Sequence, residues 1–299
     1  LSRKTAAFYD MDGTLIEGNV TNHYIYFAMT DPDFTSRARR LAELTLKAPY
    51  FWAMDRIDRR AFNEVFYASY EGISEDRLVI MGQELFDKVL THKVYPDARK
   101  LIEGDLAVGR EVVLLTGAIE AVAAPVAKAL GIKTFMATKL EFAANNLATG
   151  KLIPPVMAGP EKAQFVRRWA EEHDIDLEQS VAYADDAADV PLLSSVGRPV
   201  AVNPDLRLAT TARSHRWPVI HLSSRQSAAT KAWNRARNTL DSARELAQKA
   251  IDVGEARWAE RDDVIDRAKR LARGLTNLAG QARDAAQERL KNAAQEKKK

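Results

Sequence analysis

Thr5-Ala6-Ala7-Phe8-Tyr9, followed by Asp10-Met11-Asp12-Gly13-Thr14-Leu15, is a short apolar run that ends in a polar turn. The run is apolar at successive positions rather than alternating, so it reads as a strand buried on both faces. It carries two carboxylates at its C-terminal end. The pattern recurs downstream. Glu111-Val112-Val113-Leu114-Leu115 ends in Thr116-Gly117, Val181-Ala182-Tyr183-Ala184 ends in Asp185-Asp186, and Pro199-Val200-Ala201-Val202 ends in Asn203-Pro204. Trp217-Pro218-Val219-Ile220 reads as a fifth strand. Helical spacing fills 119–130, closed by Gly131, and 161–173. Strand, polar turn and helix in repetition predict an α/β chain with a doubly wound parallel sheet of Rossmann-like type. In such sheets ligands sit beyond the carboxyl ends of the strands, where this chain places its carboxylates, a hydroxyl and glycines.

Residues 19–109 read differently. They hold no convincing strand, and 36–46, 60–70 and 75–90 have helical spacing with many charges. They are expected to form an all-helical insert, hinged near Gly18-Asn19 and again between Gly104 and Gly109. Residues 138–153, with Asn145-Asn146 and Gly150 between short alternating runs, suggest a β-hairpin. The expected organisation is a core of 1–18 and 110–223, an insert of 19–109, and a long amphipathic helical extension over 229–299.

The extension separates by charge. The 299 residues carry a net +3, but the part from Arg225 onward is +7 and the part before it −4. Its apolar stripe is narrow and mostly alanine, with Trp258, Val264, Ile265 and Leu271 as its densest patch. Helix packing within or between chains is one reading of the tail, and peripheral contact with an anionic membrane is another. Nucleic acid is not an expected partner. Cysteine is absent, which removes disulfides and thiolate chemistry. No run of apolar residues is long enough for a membrane span, and the first residues lack a signal-like stretch, so a cytoplasmic setting is the expectation.

Several residue groups point to phosphate chemistry. A carboxylate at a strand tip, as Asp10 is, can attack phosphorus, and a second one displaced by a turn residue, Asp12, can protonate a leaving oxygen and then activate water. Gly13 permits the sharp turn, and Thr14 adds a hydroxyl. Thr116 and the backbone at Gly117 can hold phosphate oxygens. Lys162, in the first turn of a helix, opposes the helix dipole and so hints at an anionic partner. Asp185, Asp186 and Asp189 place three carboxylates in five residues, a repulsion that a divalent cation such as Mg²⁺ relieves. A helix N-cap explains one of the three well and the others poorly.

The order Asp10-x-Asp12-Gly13-Thr14-Leu15, Thr116-Gly117, Lys162, Asp185-Asp186-x-x-Asp189 resembles the haloacid dehalogenase (HAD) superfamily of phosphatases, and within it the phosphoserine-phosphatase-like subfamily IB hydrolases. The resemblance covers about residues 5–221. It implies an Mg²⁺-dependent phosphomonoester hydrolase acting on a small phosphorylated metabolite. By that resemblance Asp10 is the nucleophile that forms an aspartyl-phosphate, and Asp12 is the general acid and base. Asp10, the backbone carbonyl of Asp12, and Asp185 hold Mg²⁺. Thr116 and Lys162 bind the transferring phosphoryl group, and Thr14 and Gly117 lie beside it. Asp189 supports Lys162 and the metal's waters, with Asp186 beside it. The insert becomes a cap over the substrate. The chain departs from the subfamily twice: Asp186 stands where Ser is usual, and Asn19 stands where phosphoserine phosphatases place a substrate-contacting Glu. Phosphoserine phosphatase proper is one alternative. A binding protein working through its basic tail is another. The five histidines, His23 among them, show no metal-ligand spacing, and Trp169 and Trp217 read as packing residues.

Overall fold

The computed structural model describes residues 3–30 and 58–223, with 42, 45–47, 50, 51 and 54 between them. They fall within one compact unit, Leu1–Arg225. The expected helix over 36–46 lies largely outside the described residues, and the extension over 229–299 lies wholly outside them.

A seven-stranded sheet organises the unit. Strand β1 (Ala6–Tyr9) sits centrally, flanked by β2 (Glu111–Ile119) and β5 (Val181–Ala184), in the order β4-β3-β2-β1-β5-β6-β7. The remaining strands are β3 (Thr134–Phe142), β4 (Ala148–Ile153), β6 (Arg198–Val202) and β7 (Val219–Ile220). All neighbouring pairs run parallel except β3 and β4. All four residues of β1 are fully buried, Ala7 and Tyr9 in one hydrophobic cluster and Ala6 and Phe8 in the other. That two-sided burial is why the run is continuously apolar. The chain winds outward from β1 to β3 on one side and then to β7 on the other. The crevice where the winding reverses lies beside the tip of β1, which ends in Asp10.

Three helices of the insert are described: α1 (Val20–Met29), α2 (Arg59–Tyr67) and α3 (Glu75–Lys88). Asn19, Asp58 and Ser74 cap their N-termini through side-chain oxygens. An aromatic cluster of Tyr24, Phe27, Phe51, Phe62, Phe66, Tyr67 and Tyr70 fills the space between them. Both ends of the insert meet in a short ribbon: Ile16 bridges Val94 antiparallel, Glu17 N donates to Lys93 O at 2.8 Å, and Tyr95 N donates to Leu15 O at 3.0 Å. Helix α4 (Pro96–Ala107) follows the ribbon and faces the sheet. Its buried Asp105 accepts from the Tyr9 hydroxyl and pairs with Arg110. This ribbon lies ahead of the boundary expected at 109. A carboxylate at 105 that must be satisfied inside the core fixes α4 against the sheet.

Helices α5 (Glu120–Leu130), α6 (Pro160–His173), α7 (Val190–Leu193) and α8 (Leu206–His215) complete the described part. Gly131 closes α5 in the left-handed region, at φ 73°. Three details depart from expectation. β3 begins at Thr134, so one strand both joins the parallel sheet alongside β2 and forms the hairpin with β4. β2 runs past Thr116 to Ile119 through a register irregularity. β7 keeps only Val219–Ile220, because Arg216 is taken up as the left-handed C-cap of α8 and Trp217 stacks on His215. Trp169 packs edge-on against Phe8, as a packing residue should.

Candidate active site

The site forms where the tips of β1, β2 and β5 meet the start of α6. Asp10 N still pairs with Tyr183 O at 2.9 Å, so its carboxylate leaves the sheet at a fixed point. The chain then turns sharply. Leu15 N and Ile16 N both donate to Met11 O, and Gly13 takes φ +84°. A Cβ at Gly13 would lie 1.9 Å from Asp185 Oδ2. Glycine is needed here twice, for the backbone angle and for the approach of that carboxylate. Gly13→Ala is expected to cost about 2 kcal/mol or more of stability and to displace Asp185. Thermal melts and turnover of the variant check this, and a variant with unchanged melting and activity would contradict the close packing.

Lys162, 4% exposed, sends its Nζ between two carboxylates, 2.6 Å from Asp10 Oδ1 and 2.8 Å from Asp189 Oδ2. Burial pulls its pKa down, but Asp10 and Asp189 more than offset this, and the net shift is upward. The dipole mismatch noted in the sequence is thus resolved by two buried anions. Thr14, fully buried, donates weakly to Asp10 Oδ2 at 3.4 Å and to Asp185 Oδ1 at 3.3 Å. At the β2 tip, the irregularity lets Thr116 Oγ1 accept from Ala118 N at 3.0 Å. Asp186 caps the turn Ala187–Asp189 by accepting from Ala188 N and receives Arg59 Nη2 at 2.7 Å. The N-cap explanation therefore accounts for Asp186 and leaves Asp185 and Asp189 to other work.

All nine candidate residues except Thr14 line one cleft of about 250 Å³, with Thr14 directly beneath. Five carboxylates and only two cations, Lys162 and Arg59, line it. Burial raises the pKa of Asp10, with Lys162 opposing the rise. Burial and the neighbouring Asp10, Asp189 and Asp186 raise Asp185 well above the usual carboxylate range. Burial likewise pushes Asp12 up to about 7 and Asp189 up to about 6. Uncompensated anionic oxygens fit a hard divalent cation, which would draw these values back down. Among the described residues no three acidic or histidine side chains form a ready cage.

The sequence did not mark the residues that the insert contributes. Arg59, Asn63 and Tyr67 stand at i, i+4 and i+8 on α2 and share one face. Arg59 and Asn63 line the cleft, and Tyr67 donates to Gly117 O at 3.0 Å. The i, i+4, i+8 polar spacing was the available signal. Asn19 also lines the cleft, but its amide oxygen is engaged by Asn22 N as the cap of α1.

The family model for haloacid dehalogenase-like hydrolases matches residues 7–194. The chain belongs to that family. This HAD-like hydrolase is similar to a protein named phosphoserine phosphatase SerB1 of Mycobacterium tuberculosis, 33% identical over 216 residues, covering 72% of this chain and 70% of the relative. It is also similar to a histidinol-phosphatase of Neisseria meningitidis, 26% identical, over 56% of this chain and 85% of the relative. A solved Bordetella pertussis protein of unknown function shares the fold, with a TM-score of 0.63 at 25% identity, over 73% of this chain and 99% of the other. The HAD-like hydrolase described here is a phosphatase of the phosphoserine-phosphatase-like group. Among its described residues no helix is long and apolar enough to cross a membrane.

Proposed function

We propose that this phosphatase hydrolyses a small, polar phosphomonoester through an aspartyl-phosphate on Asp10, with Mg²⁺ as cofactor. The observation that carries the reading is the buried Lys162 ammonium between Asp10 and Asp189 at the tip of the central strand. A carboxylate oxygen of Asp10 attacks phosphorus, and the ester oxygen leaves with a proton from Asp12. Asp12, now a carboxylate, takes a proton from a water that attacks the aspartyl-phosphate, releasing phosphate and restoring Asp10. Lys162, the Thr116 hydroxyl and backbone N–H groups near Gly117 hold the phosphoryl oxygens, and Thr14 steadies Asp10 and Asp185. Asp10, Asp185 and the Asp12 carbonyl would hold Mg²⁺, which would neutralise phosphoryl charge when bound. Asp189 keeps Lys162 in place, and Asp186 ties the loop to Arg59.

The insert acts in this proposal as a cap, with Arg59 and Asn63 of α2 as the residues that face the leaving group. Relatives named for phosphoserine and for histidinol phosphate leave the alcohol open. The capping duty of Asn19, at the position of the usual Glu, speaks against phosphoserine. The test is magnesium-dependent release of p-nitrophenol from its phosphate ester, followed by a screen of phosphorylated metabolites that includes phosphoserine. No magnesium-dependent release on any ester would refute the proposal.

Every residue in this mechanism precedes Val190, so the basic tail is proposed to serve helix packing or membrane contact rather than chemistry. A chain ending at Ser224 retains the Leu222 carbonyl that accepts from Asn203. It is expected to keep turnover of a soluble aryl phosphate within about threefold of the full chain. A folded but inactive truncate would show that the tail completes the site.

A further inference from the structure

We propose that His23 is a positioning residue for Asp12, holding the carboxyl group so that its second oxygen faces the cleft; this rests on the reading of Asp12 as general acid and base. His23 lies on α1, 3% exposed. Its Nε2 stands 3.3 Å from Asp12 Oδ1. The two atoms lack the alignment of a full hydrogen bond, yet among the described residues neither has a partner elsewhere, and both are sealed from solvent. Buried polar atoms in folded proteins are paired as a rule. Here each has only the other within reach, and catalytic contacts of this kind are commonly loose before substrate binds.

The chemistry of the pair gives the contact a direction. A neutral imidazole carries one N–H, on either ring nitrogen. With that hydrogen on Nε2, His23 donates to Asp12 Oδ1 and restricts that oxygen to accepting. Asp12 itself lines the cleft although its Oδ1 is sealed from it. The oxygen left to exchange a proton with the leaving group is therefore Oδ2. Without His23 the carboxyl can rotate, and the proton has no fixed place.

A purely structural histidine and a positioning one differ in their dependence on the leaving group. A nitrophenolate departs without a proton, whereas an alkoxide does not. In His23→Phe, kcat/KM for a simple alkyl phosphate is expected to fall roughly 100-fold while that for p-nitrophenyl phosphate falls less than about fivefold. His23→Gln, which restores an N–H donor, is expected to recover most of the alkyl ester's rate. Asp12→Asn is measured in parallel. If its kcat/KM, which reports the step up to phosphoryl transfer and not the later hydrolysis common to both esters, falls equally for the two, the general-acid role of Asp12 fails, and the inference with it. If Asp12→Asn discriminates between the esters and His23→Phe does not, the positioning role alone is overturned. Nitrogen NMR of the histidine-labelled full chain decides the matter even where His23→Phe fails to fold. The expected result is a neutral His23 ring protonated at Nε2, with a signal that shifts in Asp12→Asn. A ring protonated at Nδ1 alone would overturn the inference.

Discussion

Asp10→Asn is expected to abolish turnover, with kcat reduced by roughly 10⁴-fold or more, because the substitution keeps the shape of the side chain and removes the attacking charge. The fold should survive. Asp10 is held at the tip of β1 by its backbone bond to Tyr183, which asparagine keeps, and the amide oxygen can still accept from Lys162. Circular dichroism and thermal melts on the same preparation separate lost chemistry from lost structure. A folded Asp10→Asn protein with near wild-type turnover would remove the proposed nucleophile.

Lys162→Met carries the second large effect. The ammonium is buried and meets two carboxylates at 2.6 and 2.8 Å. Deleting one member of a buried ionic cluster leaves the others uncompensated, at about 3 kcal/mol. Asp10 and Asp189 would then hold protons more tightly, and the phosphoryl group would lose its cationic partner. Turnover is expected to fall about 10³-fold together with a lower melting temperature. A variant that melts lower but turns over normally would confine Lys162 to a structural role. Lys162→Arg should recover stability better than activity, since the planar fork does not occupy the place of a point charge.

The cluster of residues at the candidate site was legible because its motifs are local. Asp10-x-Asp12-Gly13 shows both the strand end and the turn, and Asp185-Asp186-x-x-Asp189 shows a charge excess that no ordinary loop requires. The continuous burial of β1 and β5 explains why their strands stood out. Elements that share burial with solvent were less visible. Thr134 at the start of β3 is exposed and Phe135 and Met136 are half-buried, so the stretch lacked the apolar density of the central strands. The pairing of Val94 with Ile16 is a long-range contact that spacing does not reveal. The partners of the site from α1 and α2 were less visible: the i, i+4, i+8 spacing of Arg59, Asn63 and Tyr67 marks a shared helix face but not what that face meets. His23, Arg59 and Asn63 come from distant positions, and only the packing of the insert turns them toward Asp12, Asp186 and Gly117. Asp186 is the converse case: the sequence grouped it with two other carboxylates, and the fold gives it a capping role and an arginine.

The measurement that bears most directly on the account is borohydride reduction of the enzyme quenched in acid during steady-state turnover with Mg²⁺, followed by peptide mass spectrometry. An acyl phosphate on Asp10 is reduced to homoserine at that position, and the expected result is homoserine at residue 10 only when substrate is present. Homoserine at another aspartate, or none at any position while turnover is under way, would contradict the assignment of Asp10 as the residue that takes the phosphoryl group.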